Sequence, residues 1–179
     1  MTYLHGLLGA GALAAGVYGL GALWAPPAPA GRMVYRGGHV LSGGLLLAFA
    51  AGVWLLLKDP AATLAVELFG LCVLTMGLFP RPTVCGAESC CGVRLHEFCR
   101  FGGWLTGALA GGILAWRLWG GAPESVLPAC ALALAGIGLA LQAPLTGKEP
   151  AMRPDWLERI QMAALLLAVA INAVFLLQR

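Results

Sequence analysis

Apolar runs long enough to cross a bilayer recur along this chain, and the stretch over residues 79–104, FPRPTVCGAESCCGVRLHEFCRFGGW, interrupts the series with cysteines, a histidine and several charges. Six runs can be placed, at about 3–24, 37–57, 61–79, 95–117, 125–143 and 156–178. Each approaches the ~20 apolar residues that a hydrocarbon core demands of a crossing helix. Lipid offers no partners to backbone N–H and C=O groups, so such runs must satisfy them internally, as helices do. Of the 179 residues 60% are hydrophobic and 11% charged, against about a quarter charged in soluble domains. These features predict an all-α, single-domain integral membrane bundle over residues 1–179, with six transmembrane helices and no room for a sizeable soluble domain. The lipid bilayer is its first partner.

The first run lacks a basic leader and a small-residue cleavage signature, so it is expected to remain as a span. The net charge of +3 is scattered, without a basic run or stacking aromatics, which excludes nucleic acid as a partner. The linker APPAPAGRMVYR holds too much proline to continue a helix, and Lys58-Asp59-Pro60, Pro80 and Pro144 close later runs. Short second and fourth loops predict antiparallel neighbours. Arg36, Arg100 and Arg159 open the even-numbered runs in equivalent places, which makes the chain three related hairpins. Gly9, Ala12, Gly16 and Gly19 in the first run, and Gly103, Gly107 and Gly111 in the fourth, are spaced for close helix packing, within the chain, in a homo-oligomer or against partner helices. Eight of the eleven lysines and arginines fall on the side of loops 1, 3 and 5, which assigns that side to the cytoplasm.

Chemistry concentrates on the same side. Cys85, Cys90, Cys91 and Cys99 enclose His96, and with His39 they offer ligands to a soft metal ion or a redox centre. The spacing C-x4-C-C-x7-C matches neither zinc knuckles nor an iron-sulfur run, and in an oxidising compartment two disulfides are the expected outcome instead. Haem is disfavoured because both histidines lie near the helix ends. Cys72 and Cys130, inside apolar runs, read as packing residues. Arg36, Arg100 and Arg159, with Glu97 and Ser42 at nearby depth, can line a cavity for an anionic head group. Glu67 and Asn172 are the intramembrane polar residues. Each sits ~9 Å from the opposite face at 1.5 Å per residue, so they are expected to hydrogen-bond, as a structural pair or as part of a proton relay.

No nucleotide loop, nucleophile elbow or His-Glu-x-x-His pair is present. The expected function is a membrane module that handles a small ligand or soft metal through a Cys/His/Arg site. A membrane redox or lipid-modifying enzyme using that site, and a structural subunit of a larger membrane complex, are the alternatives.

The Gly-Leu-Phe-Pro of residues 77–80, the Leu95-His96 pair and the Glu158-Arg159 entry to the last run give the layout a resemblance. It resembles the family of small bacterial and archaeal membrane proteins catalogued as domain of unknown function 998, over nearly the whole chain. Members often place an acidic residue after the Phe-Pro and a second histidine one turn after the first, where this chain has Arg81, Pro82 and Arg100. The resemblance implies the multi-pass fold and a prokaryotic cytoplasmic membrane, and no particular activity.

Overall fold

The computed structural model describes residues 2–23, 29–79, 91–119, 130 and 155–178, and those residues are helical apart from short turns. Helix α1 is Thr2–Tyr18, continued by a wider π-helical turn, Gly19–Leu23. Helix α2 is Pro29–Leu57, α3 Pro60–Leu78, α4 Cys91–Leu118 and α5 Asp155–Leu177. The fifth predicted run lies outside the described residues except for Cys130, which is helical.

Four helical segments are long and apolar enough to cross a membrane: Thr2–Gly21, Met33–Leu57, Pro60–Leu78 and Arg159–Leu177. Helix α4 has the length but is not among them. Its glycines and tryptophans dilute the apolar residues, and Arg117 lies in its last turn. Of the six predicted spans, these segments match four, the fourth (α4) falls short, and the fifth lies outside the described residues. Large apolar side chains nevertheless face outward all round the bundle, including Leu41, Trp54, Leu64, Leu71, Phe101, Leu105 and Leu167. Water would penalise so much exposed apolar surface, whereas lipid accepts it.

Two helices begin earlier than the sequence pattern implies. Proline at a first helical position has its φ preset and lacks only an N–H that would be unpaired there, so Pro29 starts α2 where a break is expected. Residues 91–94 contain no proline, and α4 extends back through Gly92 to Cys91. The α2–α3 turn is two residues long. Lys58 takes a left-handed conformation, φ 53°, and its N–H bonds the Trp54 carbonyl at 3.0 Å, which ends α2. Asp59 follows in extended conformation and its carboxylate accepts from the Ala61 and Ala62 amides, with Pro60 at the first helical position. The same carboxylate ion-pairs with Arg117 at the end of α4.

Packing runs in a closed cycle among the described helices: α1 on α2, α2 on α3, α3 on α4, α4 on α5 and α5 on α1. Leu8, Tyr18, Phe49, Phe69, Leu114, Met162 and Leu166 fill the interior. The closest approach is at Gly43, where an added β-carbon would stand 2.6 Å from the Leu74 backbone nitrogen and 2.7 Å from its Cα. At Gly107 it would meet the Phe69 ring at 2.8 Å. Within the chain the α1 stripe makes no such contact: among the described residues nothing lies within 4 Å of a β-carbon added at Gly9, Gly16 or Gly19, and it is Gly11 that receives Phe49 and Ala173. Helix α1 carries small residues on more than one face, and the bulk of Phe49 selects between them.

Replacing Gly43 by leucine is expected to cost more than the ~1–3 kcal/mol of ordinary overpacking, because backbone and not a flexible side chain stands in the way. Gly44→Leu, where nothing lies within 4 Å, serves as the control. Thermal unfolding in detergent measures both. At Asp59, desolvation favours the neutral acid, but the Ala62 and Ala61 amides and the Arg117 guanidinium outweigh it and hold the carboxyl below its ordinary value. A carboxyl depressed on folding stabilises fully above the unfolded value, about 3.9, and that contribution is lost as pH falls through the folded value. Asp59→Ala is expected to remove ~1 kcal/mol of capping at neutral pH and to flatten the acid limb of a stability–pH curve. An unchanged acid limb contradicts this account.

Candidate functional site

The end of the bundle bearing loops 1, 3 and 5 gathers buried polar side chains from α2, α4 and α5. His39 stands ten residues into α2, fully buried. Its Nδ1 lies 3.0 Å from the Tyr35 carbonyl oxygen one turn earlier, and since a carbonyl only accepts, Nδ1 carries the proton. Nε2 is thereby left as a lone-pair acceptor, and it is buried with no hydrogen-bond partner among the described residues. Two tyrosines hold the ring: Tyr18 edge-on at 4.9 Å and Tyr35 tilted at 4.3 Å between centroids.

His96 on α4 repeats this protonation scheme. Its Nδ1 donates to the Phe79 carbonyl at the end of α3, 2.9 Å away, and the ring is buried. His96 and Arg159 both lie within electrostatic reach of His39. The Arg159 guanidinium sits over the Tyr35 ring, 5.1 Å from its centroid, so α5 meets α2 through the aromatic that orients His39. An imidazole that donates Nδ1–H to a carbonyl presents a fixed, basic Nε2, the preparation found behind ligating histidines.

The three arginines do not act as one ring. Arg36 donates through Nε to the Gly77 carbonyl at 3.3 Å and through a terminal nitrogen to that of Leu78, capping the C-terminal end of α3. Arg100 pairs with Glu97 one turn back on α4 and lies 5.0 Å from the Trp104 ring centroid. Of the three, Arg159 is the one beside His39 among the described residues. Ser42, expected among the ligand-binding residues, donates its hydroxyl to the Ala14 carbonyl of α1 at 2.9 Å, a buried bond between helices.

The expected Glu67–Asn172 pair is also corrected. Asn172 is buried and its amide donates to Gly111 of α4 at 3.3 Å and to Ala168 at 2.8 Å, while Glu67 is exposed on α3 beside Leu64, Leu68 and Leu71. Equal depth does not bring them together, because α4 stands between α3 and α5 in the packing cycle. Of the predicted metal or redox set, Cys85 and Cys90 lie outside the described residues and Cys91 opens α4. Cys99 is buried and not in a disulfide. Among the described residues no three of His, Cys, Asp and Glu gather to hold a metal ion. Cys72, expected only to pack, is seated against Gly102 and Gly103 of α4. Sequence reasoning passed over Tyr18 and Tyr35, although Tyr35 precedes His39 by the four residues that stack side chains on a helix.

NMR of protein labelled at the imidazole nitrogens is expected to find the His39 proton fixed on Nδ1 and Nε2 unprotonated. A proton on Nε2 contradicts the arrangement. No protein-family model matches the chain, and neither a curated protein nor a solved structure does.

Proposed function

We propose that this chain is a multi-pass membrane protein whose end bearing loops 1, 3 and 5 binds the anionic head group of a lipid, with His39, His96 and Arg159 as its recognition residues. The observation that carries the reading is the buried Nε2 of His39 with a guanidinium within reach. A lone-pair acceptor beside a permanent cation suits a group that offers both a hydroxyl and a negative charge, as a phosphate monoester does near neutral pH. Exposed apolar side chains at this end, among them Met33, Val34, Phe98 and Ile160, give an acyl chain a surface to follow. A head group reaches His39 by parting the helix ends. The small-ligand half of the sequence expectation is kept, on the cytoplasmic side that the charge count assigns. The soft-metal half is not carried forward: Cys85 and Cys90 lie outside the described residues, and among the described residues no group of three such ligands gathers. The resemblance to the family of unknown function is compatible with this reading and adds nothing to it.

Reconstitution tests the proposal. In nanodiscs of phosphatidylcholine, added phosphatidic acid is expected to raise the unfolding temperature. At a hundredfold excess over Kd the gain is about 2.7 kcal/mol. Arg159→Gln and His39→Phe should lose that increment while keeping the helical circular dichroism of the parent. Equal stabilisation by zwitterionic and anionic lipid, or an increment retained in both variants, would sink the reading.

A further inference from the structure

Helices α4 and α5 run parallel and meet in a seam that two contacts define. Asn172 of α5 donates to the Gly111 carbonyl of α4 at 3.3 Å, and nearer the loops a β-carbon added to Gly103 would stand 3.6 Å from the Met162 methyl. At about 3.6 residues per turn, positions seven and eleven before a contact return to the same face. Trp104, seven before Gly111, therefore turns toward α5, and Gln161, eleven before Asn172, turns toward α4. Arg100, eleven before Gly111, is level with Gln161, and its guanidinium lies 5.0 Å from the Trp104 ring centroid. Indole and amide thus belong to one stretch of the seam. Both side chains are buried, Trp104 7% and Gln161 1% exposed. Yet neither the indole Nε1 nor the amide Nε2 has a hydrogen-bond partner among the described residues. Folded interiors rarely leave a buried donor unanswered, and this seam holds two. Gln161 is about 200° round α5 from Arg159, which faces α2 through Tyr35, so the seam is distinct from the His39 site.

We propose that the α4–α5 seam binds the carbonyl oxygen of an uncharged, bilayer-soluble molecule, with the Trp104 indole and the Gln161 amide donating to it. The donors set the first condition. An indole N–H and an amide NH2 only donate, so the ligand must present an acceptor. Charge sets the second: Arg100 and Glu97 pair with each other, so this part of α4 offers no net charge to an anion. The third is the apolar surface beside the seam. Phe101 and Leu105 of α4 and Ile160 of α5 are exposed, and a hydrocarbon tail can lie along them. The ring carbonyl of a quinone and the ester carbonyl of a glycerolipid both meet these conditions. Binding involves no covalent step.

The test uses the full-length protein in detergent with two probes. Decylubiquinone represents the quinone source, and diacyl against dialkyl phosphatidylcholine, which share a head group, isolates the ester. Six tryptophans give six indole N–H signals in protein labelled with nitrogen-15, and the one missing from Trp104→Phe is that of Trp104. That signal is expected to move downfield when the effective probe is added. Gln161→Met, close in size, and Trp104→Phe should each weaken binding ~2–12-fold, the worth of one neutral hydrogen bond. Without probe, Gln161→Met is expected to unfold at or above the parent temperature, because it deletes a donor that the folded chain leaves unanswered. A response to decylubiquinone identifies a quinone carbonyl, and one to the diacyl but not the dialkyl lipid identifies an ester. An indole signal unmoved by either probe overturns the proposal, as does full affinity in both variants. So does unliganded Gln161→Met unfolding well below the parent, since the chain itself then supplies the acceptor.

Discussion

The close approach of α2 to α3 at Gly43 and Leu74 is the contact on which the rest of the arrangement depends. Lipid tails are as apolar as leucine, so sequestering hydrophobic side chains gives helices in a bilayer little reason to associate. Intimate packing and hydrogen bonds across helices must hold them instead. Gly43 lets the α2 surface rest directly on the α3 backbone, and the two-residue turn through Lys58 and Asp59 fixes where along α3 that meeting falls. Everything nearer the loops 1, 3 and 5 follows from it. Gly77 lies against His39 and Val40, Arg36 reaches the last carbonyls of α3, and Phe79 presents its own carbonyl to His96.

Polar side chains inside the bundle use backbone carbonyls as their main partners. Ser42 bonds Ala14, Asn172 bonds Gly111, and each histidine bonds a carbonyl through Nδ1. Such bonds join α1 to α2 and α4 to α5 at places where glycine and alanine keep the backbones near. Their effect is directional, since a polar group turned out of alignment in hydrocarbon loses its partner outright. The glycine contacts bring the helices close, and the carbonyl bonds decide how each is rotated.

Depth was legible in the sequence, while azimuth and helix order were not. Counting residues from a proline or a charged turn put His39 and His96 near the same end of the bundle, and electrostatically they are neighbours. The same counting put Glu67 level with Asn172, yet the two belong to helices separated by α4. An α-helix that is apolar on every side gives no periodic signal of which face turns inward, and α3, with buried Val66 and Phe69 flanking exposed Glu67 and Leu68, is of that kind. The all-helical class was legible because so many apolar runs leave few alternatives.

The face of α4 turned toward α3, with His96 at Phe79, Gly103 at Cys72 and Gly107 at Phe69, couples properties usually considered separately. An imidazole and two glycines lie along it, and one residue of helix advance turns a side chain by about 100° and carries it about 1.5 Å along the axis. A slip of that size would take His96 from its carbonyl and drive a larger side chain into the Phe69 ring at once. The angular setting of a single helix therefore governs interface and imidazole as one variable, and evolution can retune either only by changes that leave that angle where it is.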